Sequence, residues 1–131
     1  MMNKIVTIVI IIVGSLILFR PQSKPVNFTT LTSAQLATML NQKDFFFINV
    51  HIPYEGEIKN TDAFIPYDKI TESLNKFPKD KNAKIVLYCQ SGRMSKEAAQ
   101  ELIDLGYTNI SHLSGGMREW QSNGLEIVRK P

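Results

Sequence analysis

Cysteine is nearly absent: the 131-residue chain contains one, Cys89. A single thiol excludes an intrachain disulfide and a CxxC dithiol. The two histidines, His51 and His112, stand far from each other and from Cys89 in sequence. That leaves too few close ligands for zinc, so no metal and no cofactor is expected. A dominant charge is also lacking: 15 basic residues face 12 acidic ones, and the lysines are scattered. Nucleic-acid binding would call for a basic face with aromatic platforms, and that class is set aside. Apolar residues make up 44% and charged residues 21%, ordinary globular values that argue against long disorder. The length suits one domain with an appendage.

The start, "MMNKIVTIVIIIVGSLILFRPQSKP", differs from the rest. Ile5 to Phe19 carries no charge, is interrupted only by Thr7, Gly14 and Ser15, and is bracketed by Lys4 and Arg20. As a helix this run would span about 22 Å, short of a hydrocarbon core of about 30 Å. Snorkelling by the flanking basic residues closes part of the gap. A cleaved secretory signal would need a small-x-small site, and "LILFRPQ" offers none. A buried core helix is rarely apolar on every side at the amino terminus. Residues 1–20 therefore read as an uncleaved membrane anchor, 21–26 as a polar linker and 27–131 as the domain. The charge bias is nearly balanced, and the short leading segment favours a single pass with the domain on the extracytoplasmic side.

Within the domain, "LTSAQLATML" begins with a Thr32 or Ser33 cap and sets Leu36, Met39 and Leu40 on one helical face. "DFFFINV" and "AKIVLY" are short apolar runs, as expected of strands covered on both faces. Residues 51–70 are broken by Pro53, Gly56 and Pro66 and read as loop, with at most a short strand at Ala63–Ile65. "DKITESLNKF" predicts a moderate amphipathic helix ended by Pro78. "SKEAAQELIDLG" predicts the best helix, with Ala98, Leu102 and Leu105 inward and Gly106 closing it. "TNISHL" predicts a third strand, "GGMREWQSNG" a helical turn and "LEIVR" a tail strand. Strands alternating with helices, with no tight hairpin, predict an α/β domain with a mainly parallel sheet. Ligands then bind beyond the carboxyl ends of the strands, and Cys89 sits at such an end.

A thiol reacts as its thiolate. The helix after "YCQSGRMS" directs its N-terminal amides toward Cys89, and Gly92 lets the loop curl so that N–H groups from Gln90 to Ser95 converge. Arg93 adds a cation, and Ser91 and Ser95 add hydroxyls, with Ser95 suited to cap the helix. The competing reading is an inert cysteine ending a strand, beside ordinary loop residues. The combination of glycine at +3, arginine at +4 and serine at +6 favours a working site.

With these residues in view, the sequence resembles the single-domain rhodaneses, or thiosulfate sulfurtransferases. "IVLYCQSGRMSKEAAQELIDLGY" is similar to their active strand, loop and helix, and "NISHLSGGMREWQSNG" to their closing Leu-x-Gly-Gly-Met…Trp segment. "FFFINVHIPYEGEI" resembles their Asp-Val-Arg…Gly-His-Ile region, and the likeness runs over about residues 28 to 128. It implies a sheet of about five mainly parallel strands with helices on both faces. It also implies that Cys89 takes sulfane sulfur from a small anionic donor such as thiosulfate, holds it as a persulfide and passes it to cyanide or a thiol. Gln90, Ser91, Gly92, Arg93, Met94 and Ser95 would cradle that sulfur, and Arg93 would hold the donor's sulfonate.

The sequence departs from the pattern at Asn49-Val50-His51, at Gly56-Glu57-Ile58 and in the shortened segment between them. Asn49 and His51 are thus flanking candidates, although a loop histidine more often makes an ordinary hydrogen bond. His112, in an expected strand, reads as structural. These departures motivate an alternative, a low-turnover sulfur relay or partner-binding module at the membrane. A cysteine phosphatase would need His before Cys and Arg six residues after it, whereas Tyr88 precedes Cys89 and Arg93 follows by four. No protein partner is specified.

Overall fold

The computed structural model describes residues 27–131. The expected anchor and linker lie outside the described residues. Among the described residues no helix is long and apolar enough to cross a membrane.

The chain runs β1 (Thr29–Leu31), α1 (Ser33–Leu40), β2 (Phe46–Asn49), β3 (Glu57–Ile58), β4 (Ala63–Phe64), β5 (Ile85–Tyr88), α2 (Arg93–Asp104), β6 (Ile110–Leu113), α3 (Gly116–Ser122) and β7 (Ile127–Val128). Five strands form one sheet in the order β1-β6-β5-β2-β4, and all its pairings are parallel. This bears out the expected α/β architecture. The tail strand β7 does not join it; it pairs antiparallel with β3, placing Glu57 opposite Val128.

Side chains of the central strands alternate between two cores. On one face Ile48, Val50, Ile85, Leu87, Cys89 and Ile110 pack under α2 through Ala98, Ala99 and Leu102. The two alanines let the helix lie close to the sheet. On the other face Phe47, Val86, Tyr88 and Leu113 meet Leu36 of α1 and Met117 and Trp120 of α3. Burial on both faces is why β5 reads as an unbroken apolar run and β2 as one broken only by its last residue, Asn49.

Helix ends follow their local chemistry. Thr32, not Ser33, caps α1: the Gln35 N–H donates to Thr32 Oγ1 at 3.2 Å and the Thr32 N–H to Gln35 Oε1 at 2.9 Å. At the end of α2 the Gly106 N–H donates to the Ile103 carbonyl and the Tyr107 N–H to the Leu102 carbonyl, each at 3.0 Å. Leu105, expected inward, is half-buried at the rim of this core.

The amphipathic helix expected from "DKITESLNKF" does not form. Two 3-10 segments stand there, Tyr67–Lys69 and Thr71–Lys76, and Ser73 leaves helical geometry with φ −110° and ψ 16°. Neither contains a fully buried residue, so there is little tertiary packing to offset the cost of a regular α-helix.

Candidate active site

Cys89 follows β5 directly, at the carboxyl end of the central strand of the sheet. Its side chain is 2% exposed. The Gly92 N–H donates to Cys89 Sγ at 3.0 Å, and the Ser95 N–H does so at 3.4 Å. Both donors lie at the start of α2, where the positive end of the helix dipole adds to the field at sulfur. Helix geometry leaves the other first-turn amides, Arg93 and Met94, without intrahelical carbonyl partners.

Two corrections to the local expectation arise here. Ser95 is not the helix cap, because α2 begins at Arg93 with Gly92 as its cap. Ser95 sits inside the first turn, buried, so that its amide points at the thiol. Arg93 points outward: its side chain is 62% exposed, Nη1 donates to Glu97 Oε1 at 3.0 Å, and the guanidinium lies 5.6 Å from the Tyr67 ring centroid. Tyr67 first and Glu97 second hold its proton more tightly than usual, so the cation is permanent.

The close approach of two backbone segments shapes the loop. Gly92 adopts φ 99°, and a Cβ there would overlap the Ser114 carbonyl oxygen. Reciprocally, Gly116 takes φ 60°, and a Cβ on it would lie 2.6 Å from the Cys89 carbonyl oxygen. The N-terminal amides of α3 then cap the loop: the Met117 N–H donates to the Cys89 carbonyl at 2.8 Å and the Arg118 N–H to the Gln90 carbonyl at 3.0 Å. "SGGM" is thus the clamp that holds the thiol loop from behind, a role its glycines hint at but do not disclose in sequence.

Asn49 and His51 occupy the end of the neighbouring strand, since Asn49 pairs with Tyr88. Asn49 is fully buried; its Nδ2 donates to the Gly56 carbonyl at 3.0 Å while its Oδ1 accepts from the His51 N–H at 3.0 Å. A carboxylate could make the second bond but not the first, which accounts for an amide here. His51 Nε2 lies 3.1 Å from Glu55 Oε2, and its Nδ1 is buried without a hydrogen-bond partner. These bonds close the loop after β2 and are not made to the Cys89 loop. Glu57 is buried and pairs with Lys130 Nζ at 3.0 Å. Tyr88, ahead of the thiol, donates or accepts at Thr61 Oγ1 (2.7 Å) and accepts from the Ile58 N–H (3.0 Å). Burial raises its pKa far above the usual phenol value, so it remains neutral.

His112 comes from β6, opposite Leu87, and reaches the same face as α2. Its Nδ1 lies 2.9 Å from Ser95 Oγ, and the Cys89 thiol can donate to that oxygen at 3.5 Å. Sequence reading had no signal for this approach.

The fold and loop define a class: a small parallel α/β domain that holds one thiol against a helix N-terminus. The chain belongs to the rhodanese-like domain family, whose model matches residues 32–123. It is 31% identical over 105 residues to the mouse "Thiosulfate sulfurtransferase/rhodanese-like domain-containing protein 3", covering 69% of this chain and 66% of that one. It is 30% identical over 92 residues to the "Sulfurtransferase" of Allochromatium vinosum, covering 69% and 84% respectively. Its fold is similar to a rhodanese-like domain protein from Staphylococcus aureus, with a TM-score of 0.65 and 28% identity over 79% of this chain and all of that one. The chain spans less than two thirds of the length of several curated relatives it matches. Relatives in this family carry the names sulfurtransferase and tRNA uridine(34) hydroxylase.

Proposed function

We propose that the protein is a sulfurtransferase in which Cys89 carries sulfane sulfur as a persulfide. The observation that supports this most directly is the seating of Sγ on the Gly92 and Ser95 amides at the mouth of α2. In the first half-reaction the Cys89 thiolate attacks the outer sulfur of thiosulfate. A new S–S bond forms, the donor's S–S bond breaks, and sulfite leaves with the electron pair. The free amides of the first turn of α2 stabilise the anionic outer sulfur, as an oxyanion hole stabilises oxygen. In the second, cyanide or a thiol attacks that sulfur and Cys89 is released as thiolate, so ping-pong kinetics are expected. The test is turnover of thiosulfate and cyanide by the purified protein, with thiocyanate as product. No turnover and no sulfur-loaded mass would remove the reading.

Arg93, with its guanidinium in solvent, acts in this scheme by attracting the anionic donor rather than by gripping it. Arg93→Ala is therefore expected to raise the KM for thiosulfate about three- to tenfold, an effect that shrinks in salt, with alkylation of Cys89 unchanged. A KM identical to wild type at low ionic strength would exclude Arg93 from donor attraction.

The loop-closing roles of Asn49 and His51 support a second reading, a low-turnover relay for an unidentified protein. Persulfide formation without thiocyanate release would favour it. For the amino-terminal run, the uncharged stretch from Ile5 to Phe19 supports an anchor, and the lack of a small-x-small site in "LILFRPQ" supports its being uncleaved. Membrane-purified protein is then expected to have the intact mass of the full chain. A mass lacking the first residues would replace the anchor with a cleaved signal.

A further inference from the structure

His112 is buried, polar and unused by the reaction described above, yet it joins a continuous chain of hydrogen-bonding atoms to the thiol. Cys89 Sγ is 3.5 Å from Ser95 Oγ, which is 2.9 Å from His112 Nδ1. Ser95 Oγ also lies 3.2 Å from the Gly92 carbonyl, which can only accept. A serine has one hydrogen to give, so the state of His112 decides where that hydrogen points.

We propose that His112 is a positioning residue that draws the Cys89 proton away through the Ser95 hydroxyl. The inference rests on Cys89 being the sulfur carrier. In the step, the S–H bond breaks as its proton joins Ser95 Oγ, and the original Oγ–H proton moves to His112 Nδ1. The chain then runs Nδ1–H to Oγ and Oγ–H to the sulfur anion, so the departing proton leaves a donor aimed at the sulfur. The same donor faces the persulfide.

The surroundings set the starting state and the opposing force. Burial first, and the Lys96 cation second, hold His112 below its ordinary pKa, so it starts neutral with a lone pair for Ser95. Both also oppose the imidazolium that the step forms, and the sulfur anion created in the same step offsets them. Among the described residues, the charged group acting on it is Lys96 of α2, and the titratable group reached through Ser95 is Cys89. From β5 and β1 it meets uncharged neighbours: Leu87 and Thr30 are its strand partners. The Phe28 ring stands edge-on at 5.2 Å.

The experiment is the rate of iodoacetamide alkylation of the full chain from about pH 6 to about pH 10, for wild type, His112→Asn, Ser95→Ala and the double variant. Asparagine keeps an acceptor for Ser95 but takes no proton. Both single variants are expected to react about tenfold more slowly at about pH 6.5 and at the wild-type rate at about pH 10, where hydroxide supplies the base. The double variant should be no slower than either single one. A purely structural histidine would give a ratio independent of pH, and that result would overturn the proposal. Should His112→Asn fail to fold, the imidazole resonances of wild type give the answer. Alkylating Cys89 is expected to move the titration midpoint of His112, and an unmoved midpoint would refute the relay. Thiosulfate turnover is assayed beside these. Its absence together with a pH-dependent ratio would remove the donor assignment and leave the relay standing.

Discussion

Cys89→Ser is expected to abolish sulfur transfer, by about 10³-fold or more, in a protein that remains folded. Serine fits the same space, and its oxygen can accept from the Gly92 N–H that now reaches Sγ at 3.0 Å. What it lacks is chemistry: a hydroxyl keeps its proton at neutral pH and is a poor nucleophile toward sulfur. The two proteins should unfold at similar urea concentrations. After thiosulfate treatment, only wild type should gain about 32 Da, one sulfur atom per nucleophile. Retained turnover in the serine variant would show that another group carries the sulfur, and the whole site assignment would fall.

Gly92→Ala is expected to damage both stability and activity. At φ 99° a side chain is strained before any contact is considered, and here the new Cβ would overlap the Ser114 carbonyl oxygen and stand 2.9 Å from its carbon. Backbone is in the way, not a flexible side chain. Ser114 cannot retreat freely, because its N–H donates to the Leu31 carbonyl at 3.0 Å and so ties the segment to β1. The combined strain is expected to cost about 3 kcal/mol or more, read as a lower urea midpoint. Relief of the overlap would move the Gly92 amide, and with it the shorter of the two hydrogen bonds to sulfur. Loss of transfer is therefore expected even where the variant remains folded. A variant with wild-type stability and turnover would mean that the interlock of the two backbones is not needed.

The two variants separate contributions that a single loss of activity would merge. Serine removes the reacting atom and leaves the cradle. Alanine leaves the reacting atom and deforms the cradle. Only the first should abolish sulfur loading without moving the unfolding midpoint.

Read along the chain, the buried strands were plain. "FFI" and "IVLY" are apolar because both faces of a parallel sheet are covered, and that requirement is visible along the run up to Asn49. The same holds for α2, whose inward residues recur with the helical period, and for a lone cysteine between a strand and that helix. The segment at 71–76 misled because its periodicity resembles that of a helix, while its length of buried surface is too small to hold one. Ser95 misled because serine before an alanine-rich stretch is an ordinary cap signal, and nothing local says that the helix starts two residues earlier.

By itself, then, the sequence determined the α/β alternation, the two-sided burial of the central strands and the placing of Cys89 on a glycine-containing turn before a helix. Each of these depends on residues a few positions apart. Tertiary structure alone decided that Arg93 turns out toward Tyr67 and Glu97, that Asn49 ties Gly56 to His51, and that the Gly116 segment braces the thiol loop. It also decided that His112, 17 residues from Ser95, comes within hydrogen-bond reach of it. The contacts of Arg93 with Tyr67, of Gly116 with the thiol loop and of His112 with Ser95 arise when parallel strands and their crossovers bring distant segments into register, and contacts of that range leave no period in the sequence to be read. The Asn49 and Glu97 bonds span only two to seven residues, but whether they form depends on the loop path and helix exposure that the fold sets.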